Sequence, residues 1–218
     1  MGGTFDPIHY GHLVAAEAAR VRFGLSEVIF VPSGDPPHKQ DREVAAAEDR
    51  YLMAMLATST NPFFWVSRCE IDRPGPSYTA DTVEAMRQEA GPAAALYFIT
   101  GADAVMELMT WHRPQAILEQ CELIAATRPG YPPTDEERLR TTLREARVHT
   151  ITVPALAISS SDIRRRVKGG EPIKYLVPET VEQYILKSGL YAAAARDQQE
   201  FGHSTGRGMP PLGGLIGG

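Results

Sequence analysis

The chain is short of several things. Its 218 residues include only 2 cysteines, Cys69 and Cys121. They stand far apart with no metal-ligand spacing, which argues against a disulfide scaffold or a zinc finger and leaves reduced, buried thiols. No apolar run approaches the roughly 18 residues that a membrane-spanning helix needs. A cationic excess is also missing. The 22 Lys and Arg face 27 Asp and Glu, giving a formal net charge of −5. That argues against a protein that coats nucleic acid, but not against a local basic pocket for a small anion. The opening Met-Gly-Gly-Thr-Phe-Asp-Pro lacks the basic start and apolar middle of a secretory signal, so a cytoplasmic location is expected. What is present is globular material. Hydrophobic residues make up 43% and charged residues 22%, enough for one ordinary core.

The ends differ from the middle. Of 19 glycines, 7 fall in the last 17 residues. Residues 192–218 hold few branched apolar side chains and cannot offset their ordering entropy, so they read as a disordered tail. The expected domain is therefore 1–191. Within it, short apolar runs at 27–31, 64–71, 95–100, 123–127 and 148–153 read as strands. Helical stretches are expected at 11–23, 47–58, 79–89, 103–109, 114–119, 134–146 and 181–186. Near-continuous apolar strands alternating with helices imply an α/β, doubly wound, mostly parallel sheet covered on both faces. Such a sheet opens with a strand that delivers its Gly-rich turn at the carboxyl edge. Here the turn starts at Gly2, so the first strand is expected to be largely missing from this chain. The longest stretch without a predicted element, 33–44, is rich in proline and charge, and loops of that length are often functional.

Two motifs carry chemistry. The first is Gly2-Gly3-Thr4-Phe5-Asp6-Pro7-Ile8-His9-Tyr10-Gly11-His12. Glycines let the backbone turn sharply and approach a ligand closely. A helix starting near Gly11 aims its amides and positive dipole end at the same place, a ready anion site. His9 and His12, three apart at that helix start, share one side of it. Two imidazoles there can hydrogen-bond a polyphosphate and, when protonated, partly neutralise it. The bland alternative is a capped helix with two surface histidines. The second motif is Ile158-Ser159-Ser160-Ser161-Asp162-Ile163-Arg164-Arg165-Arg166. Its serines supply an N-cap and further hydroxyls, and Arg164 in the first turn can reach phosphate oxygens bidentately. An ordinary capped basic helix remains the alternative. Arg165, Arg166 and Lys168 read as solvated face.

Together, G-G-T-F-D-P-x-H-x-G-H and the later I-S-S-S-x-I-R resemble the H-x-G-H nucleotidyltransferase superfamily. More narrowly, the chain resembles the bacterial nicotinate mononucleotide adenylyltransferases. The likeness runs from Gly2 to about Tyr191. It is carried also by Pro36-Pro37-His38-Lys39, Gly75-Pro76-Ser77-Tyr78-Thr79-Ala80-Asp81-Thr82, Tyr97-Phe98-Ile99-Thr100-Gly101-Ala102-Asp103, Thr110-Trp111, Arg128-Pro129-Gly130-Tyr131 and Pro178-Glu179 with Val181, Tyr184 and Ile185.

The resemblance implies a Rossmann-like nucleotidyltransferase fold and a defined reaction. Nicotinate mononucleotide attacks the α-phosphorus of ATP in line, with no covalent intermediate, and pyrophosphate leaves. The substrates are thus ATP and nicotinate mononucleotide. It implies catalytic roles for His9, His12 and Arg164. ATP would be held by Gly3, Thr4, Phe5, His9, His12, Gly101, Asp103, Ser160, Ser161 and Arg164. The family often has threonine where Ser161 stands, and a hydroxyl is retained. Nicotinate mononucleotide would be met by Lys39, Tyr78, Thr79, Thr82 and Trp111. Core packing for Trp111, an N-cap role for Asp103 and a solvated loop position for Lys39 stay open as alternatives. Mg2+ would be held by substrate oxygens and water, with no protein metal cage. Neither nucleic acid nor a membrane is expected as partner, and a homo-oligomer is left open. Two other readings stand beside this one. A sister adenylyl- or cytidylyltransferase shares the H-x-G-H logic, but Ser77–Thr82 and Trp111 argue against it. A catalytically inactive nucleotide-binding protein would be expected to have broken motifs.

Overall fold

The computed structural model describes residues 1–36, 44–127, 147–154 and 157–193. The helix expected at 134–146 and the tail from 194 onward lie outside them.

Among the described residues, six strands run β1 (Gly2–Gly3), β2 (Val28–Pro32), β3 (Phe64–Val66), β4 (Tyr97–Gly101), β5 (Glu122–Thr127) and β6 (Val148–Thr152). Seven helices among those residues lie between and after them: α1 (Tyr10–Phe23), α2 (Ala47–Thr58), α3 (Thr79–Ala90), α4 (Ala102–Met106), α5 (Pro114–Gln120), α6 (Ser160–Lys168) and α7 (Glu179–Ser188). A 3-10 turn, Leu108–Thr110, follows α4. The ladders among these strands are parallel. β1 pairs β2 and β2 pairs β3, while β4 pairs β5 and β5 pairs β6. The two halves meet where β1 lies beside β4. A Cβ added to Gly2 would sit 3.4 Å from the Phe98 ring. The chain therefore winds outward in both directions from β1 and β4. In such sheets ligands bind at the carboxyl ends of the strands where the winding reverses.

The element boundaries follow local chemistry. β2 is Val-Ile-Phe-Val-Pro, β-branched and aromatic until the proline ends the ladder. α1 stops at Gly24, whose φ of 61° is left-handed and whose amide bonds back to the Arg20 carbonyl. α2 begins with Glu48 and Asp49 in its first turn, where negative charge meets the positive end of the helix dipole. Phe30, Met53, Ile124, Ile163 and Ile185 are fully buried between sheet and helices.

One expectation is corrected. The run 64–71 is not one strand. Ser67 still donates to the Phe30 carbonyl, but Ile71 and Asp72 both donate to the Arg68 carbonyl, so the backbone turns after Val66. That turn carries Glu70 inward, to 7% exposure. β1 is two residues long against five in β2. The Met1 ammonium donates to the Ile29 carbonyl at 2.7 Å. Burial pushes it down to about 5. Next to it a cavity of about 340 Å³ opens between Val28 and Ile29 on one side and Tyr97 and Ile99 on the other.

Candidate active site

The turn after β1 is held by its own packing. Phe5 has a φ of 51°, a left-handed conformation uncommon for a side-chain-bearing residue. Its ring is buried and lies edge-on to His12, with centroids 5.1 Å apart. A Cβ at Gly3 would come within 3.0 Å of that ring, so glycine is what lets the ring tuck under the turn. The Asp6–Pro7 peptide is cis.

His9 caps α1, and His12 stands one turn on. Their rings stack with centroids 3.8 Å apart and 28° between planes. A Cβ at Gly11 would lie 2.9 Å from two atoms of the His9 ring, which explains the glycine between them. The His9 amide donates to His12 Nδ1 at 3.2 Å. An Nδ1 that accepts carries no proton, so the neutral His12 ring holds its proton on Nε2. His12 is thus fixed as a directional Nε2–H donor.

The second motif docks on the first. The Ser160 hydroxyl donates to the Pro7 carbonyl at 3.0 Å, and Arg164 Nη1 donates to the Asp6 carbonyl at 2.6 Å. Arg164 also lies 3.6 Å from Asp6 Oδ2. Ser159 is the N-cap of α6, its Oγ accepting the Asp162 amide, and it exchanges a hydrogen bond with the Ser161 hydroxyl. Two helix N-termini, of α1 and α6, therefore converge on one turn across more than 150 residues of chain. Gly101 ends β4 and is itself the N-cap of the short α4. Asp103 is exposed in that helix's first turn, so the N-cap alternative for it does not hold.

Beside the turn is a cavity of about 360 Å³ bounded by Gly3, Ser33, Glu70, Ser77–Thr79, Trp111 and His112. Trp111 is half-buried, edge-on to Phe98 at 6.1 Å, so one part of its indole packs and the rest faces the cavity. Tyr78 and His112 stack at 4.2 Å. Thr79 opens α3. Thr82 stands elsewhere than expected. It is buried, and its hydroxyl donates to Glu70 Oε1 at 2.7 Å rather than bordering the cavity. Burial, the largest influence, pushes the Glu70 carboxyl above the usual carboxylate range, while its hydrogen bonds with Thr82 and Ser77 pull the other way. Lys39 lies outside the described residues.

Glu70, His112 and Arg50 were not singled out from sequence. Glu70 lies inside a run whose composition reads as strand, and His112 belongs to no local motif. Among the described residues, no three His, Cys, Asp or Glu side chains group as a metal site. Nor is any described helix long and apolar enough to cross a membrane.

This combination of a two-way parallel sheet, a histidine-capped turn and a second helix start beside it is that of a nucleotidyltransferase. The cytidylyltransferase-like family model matches residues 1–166. A protein of Moorella thermoacetica named "Probable nicotinate-nucleotide adenylyltransferase" is 61% identical over 194 residues, covering 88% of this chain and 89% of that one. A protein of the same name from a Thermoanaerobacter species is 55% identical over 197 residues, covering 88% and 92%. The chain belongs to the nicotinate-nucleotide adenylyltransferase family. Its fold is also that of the Plasmodium falciparum nicotinic acid mononucleotide adenylyltransferase complexed with NaAD. The TM-score there is 0.71 at 20% identity, over 87% of this chain and 94% of that one.

Proposed function

We infer that this chain transfers the adenylyl group of ATP to nicotinate mononucleotide in NAD biosynthesis, giving nicotinate adenine dinucleotide and pyrophosphate. A phosphate oxygen of the mononucleotide forms the new bond to the α-phosphorus. The bond from that phosphorus to the bridging oxygen breaks, and pyrophosphate keeps the electron pair. Such a reaction asks for positioning and charge neutralisation more than for a nucleophilic side chain. Cys121 fits that reading, since its thiol is buried, pushed up to about 12 and outside the site.

The observation that carries the assignment of roles is the docking of α6 on the histidine turn. It holds Ser160 and Arg164 against the Pro7 and Asp6 carbonyls, in the turn that leads into His9 and His12. We assign the reacting phosphates to the amides of Gly3, Thr4 and Phe5, with His12 donating from Nε2 to the α-phosphoryl oxygen as its charge grows. His9 and Arg164 meet the remaining phosphates with Ser160, Ser161 and the start of α6. Gly101 and Asp103, at the carboxyl end of β4, border the nucleoside. The pyridine ring lies against Trp111, with Tyr78, Thr79 and the start of α3 beside its carboxylate, and Lys39 approaches the mononucleotide phosphate. Thr82 supports this pocket from behind through Glu70. The donor set suits a Mg2+ ion carried by substrate phosphate oxygens and water, where it would neutralise charge on the leaving pyrophosphate.

The direct test is pyrophosphate release from ATP with nicotinate mononucleotide, and in a parallel arm with nicotinamide mononucleotide. Turnover with a higher kcat/KM for the acid is expected. Binding without turnover would remove the enzymatic reading, and preference for the amide would overturn the substrate.

A further inference from the structure

We propose that Arg50 is a positioning residue for the transfer, one guanidinium that sets the spacing between the phosphate turn and the pyridine pocket. This rests on the reading above.

Arg50 stands on α2 and is 1% exposed. Each of its three guanidinium nitrogens donates to a backbone carbonyl. Nε donates to Ala45 at 2.9 Å, Nη1 to Thr4 at 2.9 Å and Nη2 to Gly34 at 3.0 Å. These acceptors belong to three different pieces of the site. Thr4 is in the phosphate turn. Gly34 follows β2 and leads toward Lys39, and Ala45 lies just beyond Lys39.

Two of the three anchored segments are held again by their own amides. The Gly34 amide donates to Ser77 Oγ at 2.9 Å, and the Asp35 amide to the same oxygen at 3.1 Å. Ser77 directly precedes Tyr78 and Thr79 in the cavity wall. A Cβ at Gly34 would fall 2.2 Å from the Glu70 carbonyl, so this peptide has no room to shift. The Ala45 amide donates to Asp6 Oδ1 at 3.3 Å, and Asp6 in turn accepts from Arg164 through its own carbonyl. A continuous path of hydrogen bonds thus runs from Thr4 through Arg50 and Gly34 to Ser77 and the pyridine wall. A branch runs through Ala45 and Asp6 to Arg164.

A buried charge is a poor device for stability alone, because a well-packed apolar side chain often does as well. What a guanidinium offers is a rigid planar fork with several donors, which one ammonium on a flexible stem cannot reproduce. In-line transfer between two bound substrates is sensitive to such spacing, and a misplacement of about 1 Å can cost on the order of a hundredfold.

The test uses the full chain with ATP and nicotinate mononucleotide. Arg50→Lys keeps the charge and loses the fork. Ser77→Ala cuts the path one link further on and leaves Arg50 in place. Folded protein is quantified by circular dichroism, in trimethylamine N-oxide where R50K needs support. The expected result for folded R50K is a kcat at least tenfold below the parent, with both KM values within threefold. Ser77→Ala should lose kcat by a smaller factor, at least threefold. A kcat per folded molecule within twofold of the parent, in either variant, overturns the proposal, as does a change in KM alone. A parent chain without turnover would instead refute the functional reading itself.

Discussion

The proposed phosphate side and the proposed pyridine side of the site are built on different plans. On the phosphate side one contiguous turn supplies most of the parts, and much of its surface is backbone: amides of Gly3 to Phe5, the starts of α1 and α6, and carbonyls that hold Ser160 and Arg164. On the pyridine side the parts are side chains from separate segments, namely Trp111 and His112 after the 3-10 turn, Tyr78 and Thr79 at α3, and Glu70 from the bend after β3. The contrast follows what each ligand asks for. A triphosphate is recognised by charge and by many short donors, which a glycine turn and helix ends provide anywhere. A flat ring with one carboxylate needs a stacking face and a shaped wall, which only side chains give.

The difference predicts a split in mutant behaviour. The largest effect belongs to the phosphate side. His12→Ala should lower kcat by on the order of a hundredfold or more while ATP binding survives, because a directed donor at the growing charge is lost. Pyrophosphate-release kinetics with a parallel ATP-binding titration check it, and unchanged turnover removes His12 from the chemistry. Next comes Trp111→Ala, which should raise KM for nicotinate mononucleotide by about tenfold and leave KM for ATP within twofold, the size expected of one lost stacking face. Equal rises in both constants would erase the distinction between the two sides.

Smaller effects sharpen the pyridine wall. Thr82→Val removes the hydroxyl that Glu70 accepts and should cost about 1–3 kcal/mol of stability, with kcat/KM within twofold. A large rise in KM for the mononucleotide at unchanged stability would return Thr82 to the list of ligand contacts. The smallest effect is on pH dependence. The Glu70 carboxyl is raised in the folded chain, so between the ordinary carboxylate range and its raised value the folded state binds more protons than the unfolded one. Its contribution is therefore fully present at low pH and is lost as pH rises through that window. Glu70→Gln should flatten this fall in denaturant midpoint against pH, and an unaltered profile would show that Glu70 does not titrate this way.

Legibility differed between the same two regions. His9, His12, Ser160, Ser161 and Arg164 could be singled out as candidates from sequence because glycine spacing and helix caps act over a few residues. Residues 47–58 formed a helix with the expected bounds for the same local reason. Glu70 and Arg50 could not be placed so. Glu70 sits in a run whose apolar composition reads as strand, and only the second donation to the Arg68 carbonyl turns it inward. Arg50 looks like any polar residue at a helix start, and its three acceptors come from parts of the chain up to 46 residues away. Thr82, implied as a contact by the resemblance, is instead turned by the helix behind the wall toward Glu70.

By itself the sequence determined the family and the parallel α/β plan and singled out the candidate phosphate turn, because all three rest on short-range periodicity and on residues adjacent in the chain. Only the tertiary structure decided that Arg164 grips Asp6, that Thr82 turns to Glu70 and that Arg50 joins Thr4 to Gly34. Those are contacts between separate segments, and their partners are chosen by which groups the fold buries together and obliges to share hydrogen bonds.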